Sequence, residues 1–408
     1  MKLLHTADWH IGKVLHKQSL AEEQALFLDW LIDLINKEKI DVLLISGDVF
    51  DHSNPSVKDR QLYYTFLKKL INTQTQIIIT GGNHDSIAVL NGPKDILEML
   101  QVHIVGGATA NLEDELIEIR GKDNQLELVV AAVPFLRDKD LRTLQHDQSF
   151  QDKTEAVRAG ICHHYEAIAN LCQQKYPDTS VVAMGHLYAR GVSISESERE
   201  IHVGNSAAIT ADVFSDVFDY VALGHIHQPQ IINKNPMIRY SGSPVALSFS
   251  EKKDEKIVLV VDCSRHSITI PKPVKVPQFR ALKKLSGTFA QVQQQLSVIE
   301  KNHLLPTFVE LEVCAPKRDI DLIAQVDEFV FEYAKQDIVK ILKHRIDFEQ
   351  EDLSTADLFR EGIHIEDLKV EDVFAKRLDS LQFAEAEKAE MIELFGDLLE
   401  TYYQKEPK

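Results

Sequence analysis

Apolar runs of strand length alternate with stretches of helical period along the N-terminal part of the chain. Lys2–His5, Asp41–Ser46 (DVLLIS) and Gln76–Thr80 (QIIIT) are nearly unbroken apolar runs, the pattern of strands buried on both faces. Between them Leu20, Phe27, Leu28, Leu31, Leu34 and Ile35 recur at helical spacing. Ser56 with Asp59 resembles a capping box ahead of Phe66, Leu67, Leu70 and Ile71. A shorter helix is expected from Pro93 to Leu100. Strand, helix, strand, helix, strand predicts a parallel α/β core.

The pattern then changes. Leu116–Ile119 and Leu126–Val133 predict a hairpin, residues 150–175 one long helix, and Ser180–Met184, Asp219–Leu223 and Met237–Ser241 further strands. Lys256–Asp262 and Ser267–Ile270 read as a closing pair of strands, after which Pro271, Pro273 and Pro277 mark a linker. Helix over 288–300, strand over Thr307–Val313, helix over Ile320–Ala334 and strand over Ile338–Ile346 make a small α+β domain. From Asp347 the chain turns acidic and helical, and its last helix carries Met391, Leu394, Phe395, Leu398, Leu399 and Tyr402 on one face. The expected division is therefore 1–270, 278–347 and 348–408.

Composition narrows the class. The 408 residues, 44% hydrophobic and 26% charged, suit a soluble protein of two or three domains. No apolar run reaches about 18 residues, so no membrane span is expected. The N-terminus enters a strand pattern directly, which points to the cytoplasm, with nucleoid association expected from the DNA reading below. The four cysteines show no Cys-x-x-Cys spacing and read as reduced core residues. A net charge of −18 argues against a nucleic-acid binder on averages, but a metal site can invert the local field.

The chemistry lies where the strands end. Asp8 and His10 follow the first strand, Asp48 the second, and Asn83 and His84 the third; His186 and the pair His225 and His227 follow two later strands. Ligand sites of open α/β sheets form at such carboxyl ends. A lone histidine there is more often a hydrogen-bonded core residue. Five such ends on one chain, most with a glycine that permits close approach, point to a metal site. Carboxylate with imidazole suits manganese, iron or zinc.

DWH at 8–10, GDVFDH at 47–52, GNHD at 82–85 and GHIH at 224–227 resemble the motifs of the calcineurin-like metallophosphoesterases. With RYSGSPVALSFSE at 239–251, the resemblance extends to the Mre-type DNA nuclease subunits within that superfamily. It implies a two-sheet αββα sandwich (α/β, with an α+β cap) and two divalent metals, with manganese expected. It places Asp8, His10, Asp48 and His227 on one metal and Asp48, Asn83, His186 and His225 on the other. Two dications against two carboxylates leave roughly +2, enough to attract a phosphodiester. A pair of metals about 3.5–4 Å apart activates water and clamps phosphate oxygens.

The resemblance also makes His84 the group that contacts the scissile phosphate, with Asp51 orienting it; Asp51 as a turn or cap residue is the plainer alternative. His52 stands where relatives place a DNA-positioning histidine, and is otherwise a surface turn residue. Lys272, Lys275, Arg280, Lys283 and Lys284 form a basic stretch that either tracks DNA or is a solvated linker. Arg137 is a candidate cleft residue. The implied partners are DNA, a second copy in a homodimer within a heterotetramer (through Leu62, Tyr63 and Phe66), and the coiled-coil ABC-type ATPase SbcC, docked by the final helix. The chain has no Gly-x-x-x-x-Gly-Lys-Ser/Thr loop, so any ATP dependence belongs to another subunit. The leading expectation is a manganese-dependent nuclease, 3′–5′ exonucleolytic on duplex ends and endonucleolytic on single strands and hairpins. A small-substrate phosphodiesterase or a metal-ordered scaffold are the alternatives.

Overall fold

The computed structural model describes residues 1–121, 123–141, 150–193, 195, 197–198, 201, 208–333, 337–348 and separate positions between Phe374 and Leu398. The chain opens with β1 (Lys2–Thr6), a small hairpin of β2 (Val14–Leu15) and β3 (Gln18–Ser19), and helix α1 (Ala21–Glu38). Next come β4 (Val42–Ser46), α2 (Val57–Leu70), β5 (Gln76–Thr80), two short helices α3 (Ile87–Asn91) and α4 (Lys94–Glu98), and β6 (Val102–Val105). The second half of this unit runs through β7 (Leu116–Arg120), β8 (Leu126–Ala132), α5 (Asp138–Leu141), α6 (Phe150–Lys175), β9 (Val181–His186) and β10 (Tyr220–Gly224). It closes with β11 (Gln230–Ile232), β12 (Asn235–Tyr240), β13 (Ile257–Ser264), β14 (Ser267–Ile268) and β15 (Lys272–Lys275).

Two sheets result. One has the order β14-β13-β1-β4-β5-β6 with β15 also on β13; the other runs β11-β12-β10-β9-β8-β7. The strands β1, β4 and β5 are parallel, as expected; β6, a strand the sequence pattern did not predict, extends them in parallel, and β8, β9, β10 and β12 are parallel too. Side chains alternate across each strand, so neighbours serve different layers. Leu3, Val42, Leu44 and Ile78 meet Val130, Val182, Met184 and Ala222 between the sheets. Leu4, Leu43 and Ile45 face the other way, onto Phe27 and Leu31 of α1 and Phe66 and Leu67 of α2. On the far side Val129, Ala131 and Ala183 pack on Val157, Ile161 and Tyr165 of α6. The layers are αββα, and both faces of both sheets are covered.

Three expectations change. The Pro271–Pro277 stretch is not a linker up to Lys275: β15 pairs antiparallel with β13, Pro273 opposite Leu259. Proline is tolerated there because an edge strand leaves one row of N–H groups unused. Tyr63 and Phe66, expected at a subunit contact, are 1% and 2% exposed and belong to the core, with Leu62 packed against it. Of the large apolar residues of α2, Val57 and Tyr64 are the exposed ones. Finally, Arg280 is buried, as described below.

The described residues fall into two compact units, the first Met1–Leu285, Gln295–Leu311 and Val330–His344, the second Ser286–Gln294, Glu312–Phe329 and Arg345–Lys408. Strands β16 (Leu282–Gly287), β17 (Thr307–Ala315) and β18 (Val339–Phe348) form a three-stranded sheet in that order, with α7 (Phe289–Ser297) and α8 (Ile320–Tyr333) between them in sequence. Most of the acidic tail, including Leu399 and Tyr402, lies outside the described residues; Leu394 and Leu398 of its apolar stripe are exposed. No described helix is long and apolar enough to cross a membrane.

Candidate metal centre

The loops after β1 and β4 are laced together before any side chain is considered. Asp8 N donates to Gly47 O at 3.1 Å, His10 N to Asp48 O at 3.0 Å and Ile11 N to Val49 O at 2.9 Å. Trp9 turns the other way into the core, edge-on to Phe27 and Phe66, so Asp8 and His10 share the opposite side. The backbone is strained here: Asp8, His10, Asp48 and His225 all have positive φ, of 54°, 45°, 50° and 100°. Non-glycine residues take that conformation at a cost of order 1–3 kcal/mol each, and such residues cluster at functional sites.

Backbone donors fix one oxygen of each carboxylate. His225 N donates to Asp8 Oδ1 at 2.8 Å, and His84 N to Asp48 Oδ1 at 2.9 Å. The second oxygen, Oδ2, faces the imidazoles. Asp48 Oδ2 lies 3.6 Å from His10 Nε2, 3.3 Å from His186 Nε2 and 4.0 Å from His84 Nε2. It stands between the two expected ligand sets, where a bridging carboxylate belongs. His10 Nε2 and His227 Nε2 face each other at 3.1 Å on one side. On the other, Asn83 Oδ1 is 2.9 Å from His186 Nε2 and 3.3 Å from His225 Nδ1.

These donors suit a metal. Among the described residues, Asp8 Oδ2 and His225 Nε2 are buried without a hydrogen-bond partner. Three groups, Asp8–His10–His227, His10–Asp48–His84 and Asp8–Asp48–His186, each converge tightly enough to hold an ion. Such a cluster sets lone pairs against one another, a conflict that bound cations would resolve. Two glycines permit the convergence. A Cβ on Gly47, whose φ is +83°, would overlap the His186 ring, and one on Gly224 would strike Ser46 O.

Protonation reports the same crowding. Burial, with Asp48 alongside, pushes Asp8 up to about 7. Against the effect of burial, His186, His10 and His84 hold Asp48 well below the usual carboxylate range. His186 rises to about 9 because the Asp48 charge and hydrogen bond outweigh its burial. Burial and the neighbouring His186 push His225 well below the ordinary imidazole value.

The outer partners orient each ring. His186 Nδ1 donates to Ser46 O at 3.0 Å. His10 Nδ1 is held by Asp51 Oδ1 at 3.1 Å, and Lys13 Nζ reaches the same oxygen at 3.3 Å. Against burial, the His10 bond and the Lys13 and His52 charges keep Asp51 far below its normal pKa. The expectation that the Asp51 carboxylate orients His84 needs correction: that oxygen is 3.8 Å from His84 Nδ1, which donates instead to the Asp51 carbonyl at 2.7 Å. Asp85 is a buried brace whose carboxylate accepts from Gly82, Val49 and Phe50 N–H groups.

The candidate substrate residues divide. His52, with its side chain 59% exposed, is 3.2 Å from Asp51 Oδ2, at the site. Arg137 is half-buried and donates to Asp85 O at 3.1 Å. Lys275 is exposed on β15 and pairs with Glu255. Arg280 is not a DNA-facing cation: its guanidinium bonds Glu23, Glu22 and Pro306 O and lies 3.8 Å over the Phe308 ring. Sequence reasoning missed Lys13, Asp85, Ser197, Glu198, Glu251 and Lys256; only Asp85 and Glu251 lay within motifs it had singled out.

Residues 1–229 match the calcineurin-like phosphoesterase family, and residues 278–381 match the Type 5 capsule protein repressor C-terminal domain. SbcD of Escherichia coli (strain K12), a subunit of the nuclease SbcCD, is 31% identical over 404 residues, 98% of each chain. This chain belongs to the SbcD family of calcineurin-like phosphoesterases. Further SbcD relatives are that of Bacillus subtilis, 28% identical over the full length of both chains, and that of Rhodobacter capsulatus, 36% identical over 69% of this chain and 71% of that one. Like the SbcD proteins it is a metal-dependent phosphodiesterase with a nuclease role, in a fold whose family binds two divalent metals.

Proposed function

We propose that the chain is the manganese-dependent nuclease subunit of an SbcCD-type complex. It would cut duplex ends 3′–5′ and open single strands and hairpins. The observation that carries the reading is Asp48 Oδ2, set between His10 and His186 with His84 Nε2 4.0 Å away. In this reading Asp8, His10, Asp48 and His227 hold one ion and Asp48, Asn83, His186 and His225 the other. Bound there, the ions supply a nucleophile from water and neutralise phosphate charge. Because His84 Nδ1–H is committed to the Asp51 carbonyl, Nε2 is the nitrogen that meets the phosphate. Protonated, it hydrogen-bonds a nonbridging oxygen and passes its proton to the leaving oxygen.

His52 and Arg137 would steer the strand at the rim, and Lys275 the flanking backbone. Residues 278–347 would form a cap over DNA and 348–408 the segment that docks on SbcC, with Leu394 and Leu398 in the contact. A homodimer would use exposed groups of α2 and α4 such as Tyr64 and Ile96 rather than Tyr63 and Phe66. The assembly would act in the cytoplasm, at the nucleoid.

The test is an assay with manganese on a 5′-labelled hairpin and a duplex end, beside His84→Asn, with and without SbcC and ATP. Metal-dependent cutting lost in the variant at unchanged metal content supports the reading, and ATP stimulation only with SbcC adds the complex. Hydrolysis of bis-p-nitrophenyl phosphate without any DNA cutting would show that DNA is the wrong substrate.

A further inference from the structure

The segment after β12 ends in a buried ion pair that the metal ligands themselves do not explain. Glu251 and Lys256 are 1% and 9% exposed, and Lys256 Nζ donates to Glu251 Oε2 at 2.6 Å. The same oxygen accepts from Leu247 N at 3.2 Å and Ser243 Oγ at 3.3 Å. The other, Oε1, accepts a short hydrogen bond from Ser197 Oγ. Ser197 Oγ in turn lies 2.6 Å from His227 Nδ1. Lys256 Nζ also donates to His227 O at 3.1 Å, and Glu198 Oε1 accepts from His227 N at 2.9 Å. His227 is thus held at its ring, its carbonyl and its amide.

The polarity of this chain of bonds runs one way. A carboxylate opposite an ammonium only accepts, so Ser197 must donate to Glu251. Its hydroxyl lone pairs then receive a proton from His227, which places that proton on Nδ1. The bare nitrogen is Nε2, and it faces His10 Nε2 at 3.1 Å. We propose that Glu251, acting through Ser197, is the positioning residue that fixes the tautomer and direction of His227 and so presents Nε2 to one of the two ions. The proposal rests on the reading of His227 as a ligand. Lys256 binds both the carboxylate and the His227 carbonyl, so ring orientation and backbone position come from one rigid unit.

The experiment uses the full chain with 15N-labelled histidine, as wild type, Ser197→Ala and Glu251→Gln. Ring correlation spectra of the metal-free protein report the His227 tautomer, and calorimetric titration with manganese reports each affinity. Wild type should show the Nδ1–H tautomer. Ser197→Ala, which leaves the Glu251–Lys256 pair intact, should mix the tautomers and weaken one ion about 10–100-fold while sparing the other. Glu251→Gln can donate to Ser197 and reverse the chain, and should give the same loss; if it fails to fold, Ser197→Ala decides alone. Unchanged tautomer and affinities overturn the proposal, as does a lower Tm at unchanged affinity, which would make the network a brace only. His227→Ala should bind one ion fewer; two ions at full affinity would remove the ligand reading itself.

Discussion

His84 is tied to Asp51 through the backbone, its Nδ1 donating to the carbonyl at 2.7 Å, while the Asp51 carboxylate turns to His10 at 3.1 Å. One residue therefore serves two rings by separate groups. Asp51→Asn alters the carboxylate, which meets His10, Lys13 and His52, and spares the carbonyl that holds His84, so it should weaken metal binding about 10–100-fold while leaving His84 in place. Manganese titration checks this. Equal affinity in the variant and wild type would mean that Lys13 and the loop backbone hold His10 without the carboxylate.

The converse holds for His84→Asn. Removing the ring takes away the group aimed at the phosphate without touching the backbone N–H that pins Asp48 Oδ1. The expected result is a fall in kcat of about 10²–10⁴-fold with both ions retained. Loss of an ion would instead make His84 a ligand, which its place beside His10 and Asp48 permits geometrically.

Metal binding should release protons and strengthen with pH. Asp8 is raised to about 7 and His186 to about 9, and both must be deprotonated to ligate. Raised values mean that protons stay on as pH falls, so competition grows on the acid side. Between pH 7 and 9 affinity should rise about tenfold per unit as His186 gives up its proton, and more steeply below 7 as Asp8 joins it. Calorimetry in buffers of different ionisation enthalpy measures the protons released; none released at pH 7.5 would contradict the assignment.

Gly47→Ala tests the packing of the site. Its φ of +83° disfavours any Cβ, and the added methyl overlaps the His186 ring. Strain at one such position costs about 1–3 kcal/mol, and displacement of His186 should remove one of the two ions. Metal stoichiometry by mass spectrometry of the folded protein reads the second effect independently of the first.

The α/β core and the strand-end Asp, Asn and His residues that converge as candidate ligands were legible because each has a local cause. Strands buried on both faces must be apolar throughout, and a ligand at a strand end must follow that run directly, often beside a glycine. What stayed hidden depends on convergence of distant segments. Glu251 and Lys256 look like surface charges until β13 and the turn before it bring them under His227. The residues Lys272, Lys275 and Arg280 read as one basic run, but strand alternation and burial send them to different partners: Asp262, Glu255 and Glu23. β6 (VHIV) is short and carries a half-buried histidine, too weak a pattern to separate from its surroundings.

Arg280 supplies the last prediction, because its burial reverses the role that its neighbours suggest. The side chain is 2% exposed, stacked on Phe308 and bonded to Glu23, itself nearly buried. Arg280→Ala strands the Glu23 charge and removes the stack, so the expected cost is about 3–5 kcal/mol, the range for breaking a buried ion pair. Denaturant unfolding measures it. Lys275→Ala, at a pair more than 60% exposed on both sides, should change stability by less than about 1 kcal/mol. If Lys275 meets a phosphate, its loss should instead lower the salt dependence of DNA binding by about one ion. A stability loss in the Lys275 variant and none in the Arg280 variant would refute the division.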